Sequence, residues 1–201
     1  MTETLVSDLG NVLLLFDNNI FIERLARVAS RPAAEVRKAA HDNPELMTLF
    51  ERNAISPEDF WRNATDLLGM DVGYEEFFAL YCDVFSLNPE VLALYRRLRP
   101  SLKMVLLSNT DVMRWTFIKS RFREILFFDG YVLSFDQGFL KPSFEVYREA
   151  LRLAGSRPEN ALYVDDLPEN VDPAVRLGMR GVVYRPGLDL AAEFRKAGLP
   201  A

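Results

Sequence analysis

The chain has 201 residues, of which 49% are hydrophobic and 26% are charged, and its net charge is −5. This composition is typical of a globular protein with one domain, or one core with a modest insert. It offers no basic face for nucleic acid and no run of the roughly 18 apolar residues that a membrane span needs. The first residues lack the basic segment of a signal peptide, so we expect a cytoplasmic protein.

A single cysteine and a single histidine restrict the chemistry that the chain can perform. Cys82 has no partner for an internal disulfide, and one cysteine cannot build a Cys-based metal site. His41 is the only histidine, which excludes Ser-His and Cys-His catalysis unless His41 itself serves.

Short apolar runs predict the strands of a mainly parallel sheet. In chain order they cover residues 4–7, with 12–15 nearby, then 103–108, 130–134, 161–165 and 181–184. Helical patterns at residues 88–98 and 143–154 separate the later runs. Strands that alternate with helices form βαβ units, so we predict an α/β core.

Residues 16–87 have a different pattern, which predicts helices and no strand. The four predicted helices cover residues 19–29, 32–41, 56–68 and 74–85. Because the insert follows the first strand, we expect it at the carboxyl edge of the sheet, where such sheets bind ligands.

Polar side chains stand where four predicted strands end, and in a parallel sheet these ends share one edge. In chain order they are Asp8, then Ser108 and Asn109, then Lys141, and finally the pair Asp165 and Asp166. Three neighbouring carboxylates repel one another and invite a hard divalent cation with oxygen ligands, most obviously Mg²⁺. A lysine and a hydroxyl suit an anion with several oxygens. The set therefore indicates phosphoryl transfer, with a carboxylate attacking in line.

The order of these residues resembles the motifs of the haloacid dehalogenase (HAD) superfamily of aspartate-nucleophile hydrolases, over essentially the whole chain. The four similar segments are "SDLGNVLL", "LLSNT", "GFLKPS" and "YVDDLPENV". The resemblance implies that Asp8 is the nucleophile of an aspartyl-phosphate mechanism. It also implies that Ser108, Asn109 and Lys141 bind the substrate phosphate, with Lys141 stabilising charge.

The resemblance further implies a magnesium site and a two-part organisation. Mg²⁺ is expected on Asp8, on the backbone carbonyl of Gly10 and on Asp166, with Asp165 in close support. The insert is similar to the small helical cap of subfamily I. We therefore expect a Rossmann-like parallel sheet with helices on both faces in residues 1–15 and 88–201, and an all-helical cap in residues 16–87.

One position departs from the family pattern. Most phosphatases of the family carry a second Asp two residues after the nucleophile, as general acid and base, and this chain has Gly10 there. The "DLGNV" form resembles a branch that includes sugar-phosphate phosphatases and the phosphatase-like N-terminal domains of epoxide hydrolases. We expect a turnover that is slow or limited to good leaving groups, unless Asp17 or an acid of the cap substitutes as proton donor.

These observations favour a Mg²⁺-dependent phosphatase, that is, a phosphoric monoester hydrolase. Its substrate would be a small phosphorylated metabolite such as a sugar phosphate, and the protein would be a monomer or homodimer. One alternative is a 2-haloacid dehalogenase, although that chemistry needs no metal site. Another is a catalytically weak HAD-fold binding protein, because the second acid is missing. A phospho-receiver has its acid pair early in the chain, which disfavours it here.

Overall fold

A computed structural model describes residues 2–199 of the chain. Its strands are β1 (Thr4–Ser7), β2 (Leu14–Phe16), β3 (Phe85–Leu87), β4 (Lys103–Ser108), β5 (Gly130–Leu133), β6 (Ala161–Asp165) and β7 (Arg180–Val183). Its helices are α1 (Asn18–Val28), α2 (Ala33–Asp42), α3 (Pro44–Glu51), α4 (Pro57–Leu68), α5 (Tyr74–Cys82), α6 (Pro89–Leu98), α7 (Val112–Arg121), α8 (Ser134–Gln137), α9 (Phe144–Ala154), α10 (Pro168–Arg176) and α11 (Leu190–Lys196). Within residues 2–199, no helix combines the length and the apolar character required to cross a membrane.

The main sheet is parallel, with the strand order β5-β4-β1-β6-β7. Strand β1 is central and wholly buried, and its Val6 pairs with Val105 on one side and Tyr163 on the other. This register brings the carboxyl ends of β1, β4 and β6 to the same edge.

Alternate residues of the sheet face two separate cores. Leu5, Met104 and Leu106 pack with apolar side chains of α6, α7 and α11. Val6, Val105 and Leu107 pack with those of α9 and α10 on the opposite face. Successive side chains of a strand point to opposite faces, so a fully buried strand needs helices on both sides. The predicted α/β fold is confirmed.

Helices α1–α5 form the insert, and the short strands β2 and β3 lead into it and out of it. These two strands pair antiparallel, with Leu14 opposite Leu87, and they stay outside the main sheet. The insert has its own core, in which aliphatic side chains surround a group of contacting aromatic rings. Its fully buried members include Phe50, Phe77 and Tyr81.

The insert differs from its prediction in two places. The helix predicted at residues 74–85 stops at Cys82, and strand β3 follows it, so the prediction of a segment without strands at residues 16–87 was wrong. The ring of Phe85 instead packs edge-on against Phe16 of β2, with 6.0 Å between the ring centroids. Helix α3 had no predicted counterpart, although Pro44 stands at its first position, as is common for helix starts.

Candidate active site

Asp8 lies at the carboxyl end of β1, held there by the sheet. Its backbone N–H donates to the carbonyl of Val164, 2.8 Å away, and the residue is only 6% exposed. A buried carboxylate needs a compensating charge. Lys141 supplies it, with Nζ 2.7 Å from Oδ1 of Asp8 and 2.7 Å from Oδ2 of Asp165. One buried ammonium group therefore joins two of the predicted site residues.

Asn109 fixes the backbone of Lys141. Its Oδ1 accepts from the backbone N–H of Lys141 at 2.8 Å, and its Nδ2 donates to the carbonyl of Lys141 at 3.1 Å. Both ends of the side-chain amide are thus occupied. Ser108, one residue earlier, is buried beside the same cavity, and its hydroxyl donates to the carbonyl of Asn109 at 3.4 Å.

The two acids after β6 have different surroundings. Asp165 is fully buried and accepts hydrogen bonds from four sources. The donors are the Lys141 ammonium at 2.7 Å, the Leu167 N–H at 2.9 Å, the Asn170 amide at 3.1 Å and the hydroxyl of Tyr163. Asp166 is half-buried and lines the cavity, and within residues 2–199 its carboxylate accepts from Asn11 Nδ2, at 3.1 Å. The carboxylate of Asp165 is therefore held by hydrogen bonds on both oxygens, whereas that of Asp166 can still bind a further ligand.

Charge and burial oppose each other among these groups. Burial raises the pKa of Asp8 above its usual range, Lys141 acts to lower it, and Asp165 adds to the rise. Burial alone would lower the pKa of Lys141, but Asp8 and Asp165 outweigh it and the pKa is raised. Burial also raises the pKa of Asp166. Carboxylates that are buried close together in this way favour the binding of a cation.

The donor set fits a hard divalent metal ion. One carboxylate oxygen each from Asp8, Asp165 and Asp166 lie within 4.8 Å of one another. The carbonyl of Gly10 accepts no hydrogen bond from any residue in the described range. Carboxylate and carbonyl oxygens are the ligands that Mg²⁺ and Ca²⁺ take in proteins. These residues could therefore hold such an ion.

The turn after Asp8 has two unusual features. A Cβ atom placed on Gly10 would lie 2.9 Å from Cε1 of Phe16, so the aromatic ring fills the space that a side chain would need. Asn11 adopts a left-handed conformation with φ 51°, which Asn tolerates better than most residues. From this position its side chain reaches Asp166 and accepts from the N–H of Phe16 at 3.4 Å.

A cavity of about 710 Å³ opens over these residues, between the insert and the edge of the sheet. Its floor includes Asp8, Lys141 and Asp166. Its other walls mix apolar and charged side chains. Those from the insert and its connecting strands are Phe16, Asp17, Phe21, Ile22, Arg37, Ala40, Met47, Glu51 and Phe85.

A second charged cluster lies where the insert meets α7, and its members Arg114 and Glu51 line the cavity. The guanidinium carbon of Arg114 lies 4.2 Å from the centroid of the Tyr81 ring. The hydroxyl of Tyr81 donates to Oδ2 of Asp111 at 2.6 Å. Nε of Arg114 is buried with no hydrogen-bond partner among residues 2–199. Glu51 completes the cluster, and burial raises the pKa of its carboxyl to about 7, although Arg114 acts in the opposite direction.

The structure brings the predicted site residues together at one edge of the sheet. Six of them line the cavity, namely Asp8, Gly10, Ser108, Asn109, Lys141 and Asp166. Asp165 lies behind them, fully buried. Asp17 also lines the cavity, but its carboxylate caps α1 by accepting from the N–H of Asn19 at 2.7 Å.

Sequence reasoning missed several residues that hold the site. Asn170 follows the acid pair in the first turn of α10, and a polar side chain just after a motif is a usable signal. Asn11 stands directly after Gly10, and a Gly-Asn pair is one of the pairs found in tight turns. Glu51 and Arg114 had no such signal, because each lies within an ordinary helical pattern.

Three comparisons with known proteins agree with this geometry. The family model that matches describes haloacid dehalogenase-like hydrolases, and it covers residues 1–178. The chain is 26% identical to a sesquiterpene phosphatase of Aspergillus oryzae, over 77% of this chain and 80% of the relative. It is 24% identical to a D-ribitol-5-phosphate phosphatase of Bacteroides thetaiotaomicron, over 96% of this chain and 97% of the relative.

A similar solved structure supports the same fold. It is a HAD family enzyme from Bacteroides thetaiotaomicron in complex with magnesium and inorganic phosphate. It superposes with a TM-score of 0.86 at 22% identity, and the match covers 97% of this chain and all of that chain.

Proposed function

This chain belongs to the family of haloacid dehalogenase-like hydrolases, and we propose that it is a Mg²⁺-dependent phosphatase of small phosphorylated metabolites. The observation that carries the proposal is the position of Lys141, which contacts Asp8 and Asp165 at 2.7 Å beside a third acid. A phosphoryl group needs cationic partners for its oxygens and a nucleophile in line with the leaving group. Lys141 and Asp8 supply these at the floor of one cavity.

In this proposal Asp8 is the nucleophile and forms the aspartyl-phosphate intermediate. Lys141 contacts the phosphoryl oxygens and stabilises the charge that develops on them. Ser108 adds its hydroxyl. The side-chain amide of Asn109 is engaged with Lys141, so any contact with phosphate would come from the backbone N–H of Asn109.

Asp8, the Gly10 carbonyl and Asp166 are the proposed metal ligands. Asp165 accepts hydrogen bonds from four groups. Its proposed role is to orient Lys141 and to support the metal site beside Asp166. Bound Mg²⁺ would supply further positive charge to the phosphoryl oxygens. The ligand types suit it, since all are oxygens.

Helices α1–α5 are the proposed cap, with residues 1–15 and 88–201 as the core. The insert contributes most of the upper wall of the cavity, so it would select the substrate. Charged side chains on that wall, Arg37, Glu51 and Arg114, favour a hydroxyl-rich molecule. Sugar and polyol phosphates are therefore the first class to test, and the related ribitol-phosphate phosphatase supports that choice.

The decisive experiment is hydrolysis of p-nitrophenyl phosphate by wild type and Asp8→Asn, each with Mg²⁺ and with EDTA. We expect turnover only in wild type with Mg²⁺, and a loss of about 10³-fold or more in the variant, as expected on removal of a nucleophile. Asp66→Asn, at an exposed position of α4 outside the cavity, is the matched control. Metal-independent release of chloride from 2-chloropropionate would instead support the dehalogenase alternative. A folded protein that binds phosphate without turnover would support the binding protein.

A further inference from the structure

A phosphatase of this kind needs a proton donor for its leaving group. The inference that follows concerns this donor and rests on the proposed phosphatase function. Residue 10 has no acid, and the Phe16 ring fills the space beside it. An alkoxide leaves slowly unless an acid protonates it, and such help is worth about 10²–10⁴-fold in rate. Hydrolysis of an alkyl phosphate therefore needs another acid on the cavity wall.

Four carboxyl groups line the cavity within the described part of the chain, and three are already engaged. Asp8 is paired with Lys141, and Asp166 accepts from Asn11. Asp17 caps the start of α1. The fourth, Glu51, accepts no hydrogen bond and forms no ion pair with any residue from 2 to 199. Its carboxyl group is therefore available to a bound molecule.

Glu51 is placed where the insert meets the phosphate-binding side of the core. It is the last residue of α3, which contacts α8, the short helix that precedes the Lys141 loop. The charge of Lys141 reaches Glu51 and acts to lower its pKa, as does that of Arg114, whereas Asp111 acts to raise it. Tyr81 also interacts with Glu51 from α5.

Burial of Glu51 has a chemical consequence. The pKa of the carboxyl rises to about 7, mainly through burial. Near neutral pH both its protonated and its ionised form are then populated, as a group that alternates between acid and base requires.

We propose that Glu51 is the general acid and general base of this site, in the place of an acid at residue 10. In the first half-reaction a bond forms between Asp8 and phosphorus, the bond from phosphorus to the leaving alcohol breaks, and the Glu51 acid protonates the alcohol oxygen. In the second half-reaction ionised Glu51 takes a proton from water, whose oxygen attacks phosphorus. The bond to Asp8 then breaks, phosphate leaves, and both carboxyl groups return to their starting forms.

The test compares the full-length wild type with Glu51→Gln, in Mg²⁺, on two kinds of ester. The first is p-nitrophenyl phosphate, whose leaving group is a stable anion. The second is the best alkyl ester among sugar and polyol phosphates, including ribitol 5-phosphate. We expect kcat/KM for the alkyl ester to fall by about 10²–10⁴-fold and kcat/KM for the aryl ester to change less than about tenfold.

The second half-reaction gives a separate readout. Without its base, Glu51→Gln should accumulate aspartyl phosphate, so p-nitrophenolate should appear as a burst equal to the enzyme concentration, followed by slow turnover. A purely structural role for Glu51 would not produce this burst. Glu45→Gln, at an exposed position of the same helix, is the matched control and should behave as wild type.

A wild-type measurement covers the case in which Glu51→Gln does not fold. Its kcat/KM for the alkyl ester should decline on the alkaline side of neutrality, while kcat/KM for the aryl ester should not. Three results would each overturn the role of Glu51. They are equal losses of kcat/KM on both esters in Glu51→Gln without a burst, parallel pH profiles of kcat/KM for the two esters in wild type, and wild-type turnover of the aryl ester alone. Wild type inactive on both esters would overturn the proposed phosphatase itself.

Discussion

The ring of Phe16 occupies the space that a side chain on residue 10 would need, with Cε1 2.9 Å from the position of a Cβ atom there. Phe16 is held in place by its edge-on contact with Phe85 across the two short strands. The glycine at residue 10 and the position of the Phe16 ring are therefore coupled. Restoring the acid requires that the ring move.

We predict that Gly10→Asp alone loses stability and gains no activity. Overpacking against a held aromatic ring costs about 1–3 kcal/mol of unfolding free energy. Adding Phe16→Leu should recover much of that loss, so the two substitutions should be strongly non-additive. Thermal melting and kcat/KM for an alkyl phosphate measure both effects, with Phe16→Leu alone as the control. A rise in kcat/KM for Gly10→Asp alone would contradict the prediction.

The two acids after β6 should respond differently to neutralisation. Asp166→Asn should weaken Mg²⁺ binding by at least about tenfold and leave the metal-free melting temperature nearly unchanged, because Asp166 has few protein partners. Asp165→Asn should cost about 3–5 kcal/mol of unfolding free energy, because it breaks a buried pair with Lys141.

Calorimetric Mg²⁺ titration and melting in EDTA separate these effects on the same two variants. If Asp165→Asn kept its stability but lost Mg²⁺ binding altogether, the assignment of direct ligand and supporter would have to be exchanged.

Much of this site could be predicted from the sequence because parallel strands end at one edge. Asp8, Ser108 and the acid pair stand at the ends of short apolar strands, whereas Lys141 follows β5 only after the short helix α8, and the fold brings all of them together. The resemblance to the family implied different roles for Asp165 and Asp166, but the hydrogen-bond partners that distinguish them could not be predicted. These partners depend on the direction in which each side chain points after β6 and on the residues that it contacts there.

The residues of the cavity wall could not be predicted from the sequence, for a different reason. Glu51 and Arg114 stand in helices of unremarkable composition, and only the packing of the insert on α7 brings them together. Strand β3 was missed because a strand of three residues carries too little periodicity to distinguish it from the helix before it.

Tyr81→Phe should weaken the attachment of the insert to α7. The hydroxyl of Tyr81 donates to the buried Oδ2 of Asp111, and Oδ1 of that residue accepts from the N–H groups of Met113 and Arg114. Leaving a buried acceptor without this donor costs about 1–3 kcal/mol. Denaturant unfolding measures the loss. Tyr74→Phe, on the same helix, is the control and should change stability little; equal losses in the two variants would argue against the contact with Asp111.

The raised pKa of Glu51 predicts a pH dependence of stability. Its pKa is about 7 in the folded protein against 4.5 for an ordinary Glu, so between these values the folded state binds a proton more tightly than the unfolded state. This contribution to stability is present below pH 4.5 and is lost as the pH rises through 7. Glu51→Gln removes it, because a glutamine does not titrate.

Urea unfolding in EDTA at about pH 5 and about pH 8 measures this difference, and the useful quantity is the change between the two pH values. Wild type should lose more unfolding free energy over this interval than Glu51→Gln, and the exposed-site variant Glu45→Gln should follow wild type. If Glu51→Gln lost as much as wild type, the carboxyl would titrate alike in the folded and unfolded chain, and burial at the cavity wall would not be acting on it. A smaller loss in Glu51→Gln would place its titration in the folded protein near neutral pH, where the proposed proton transfer requires it.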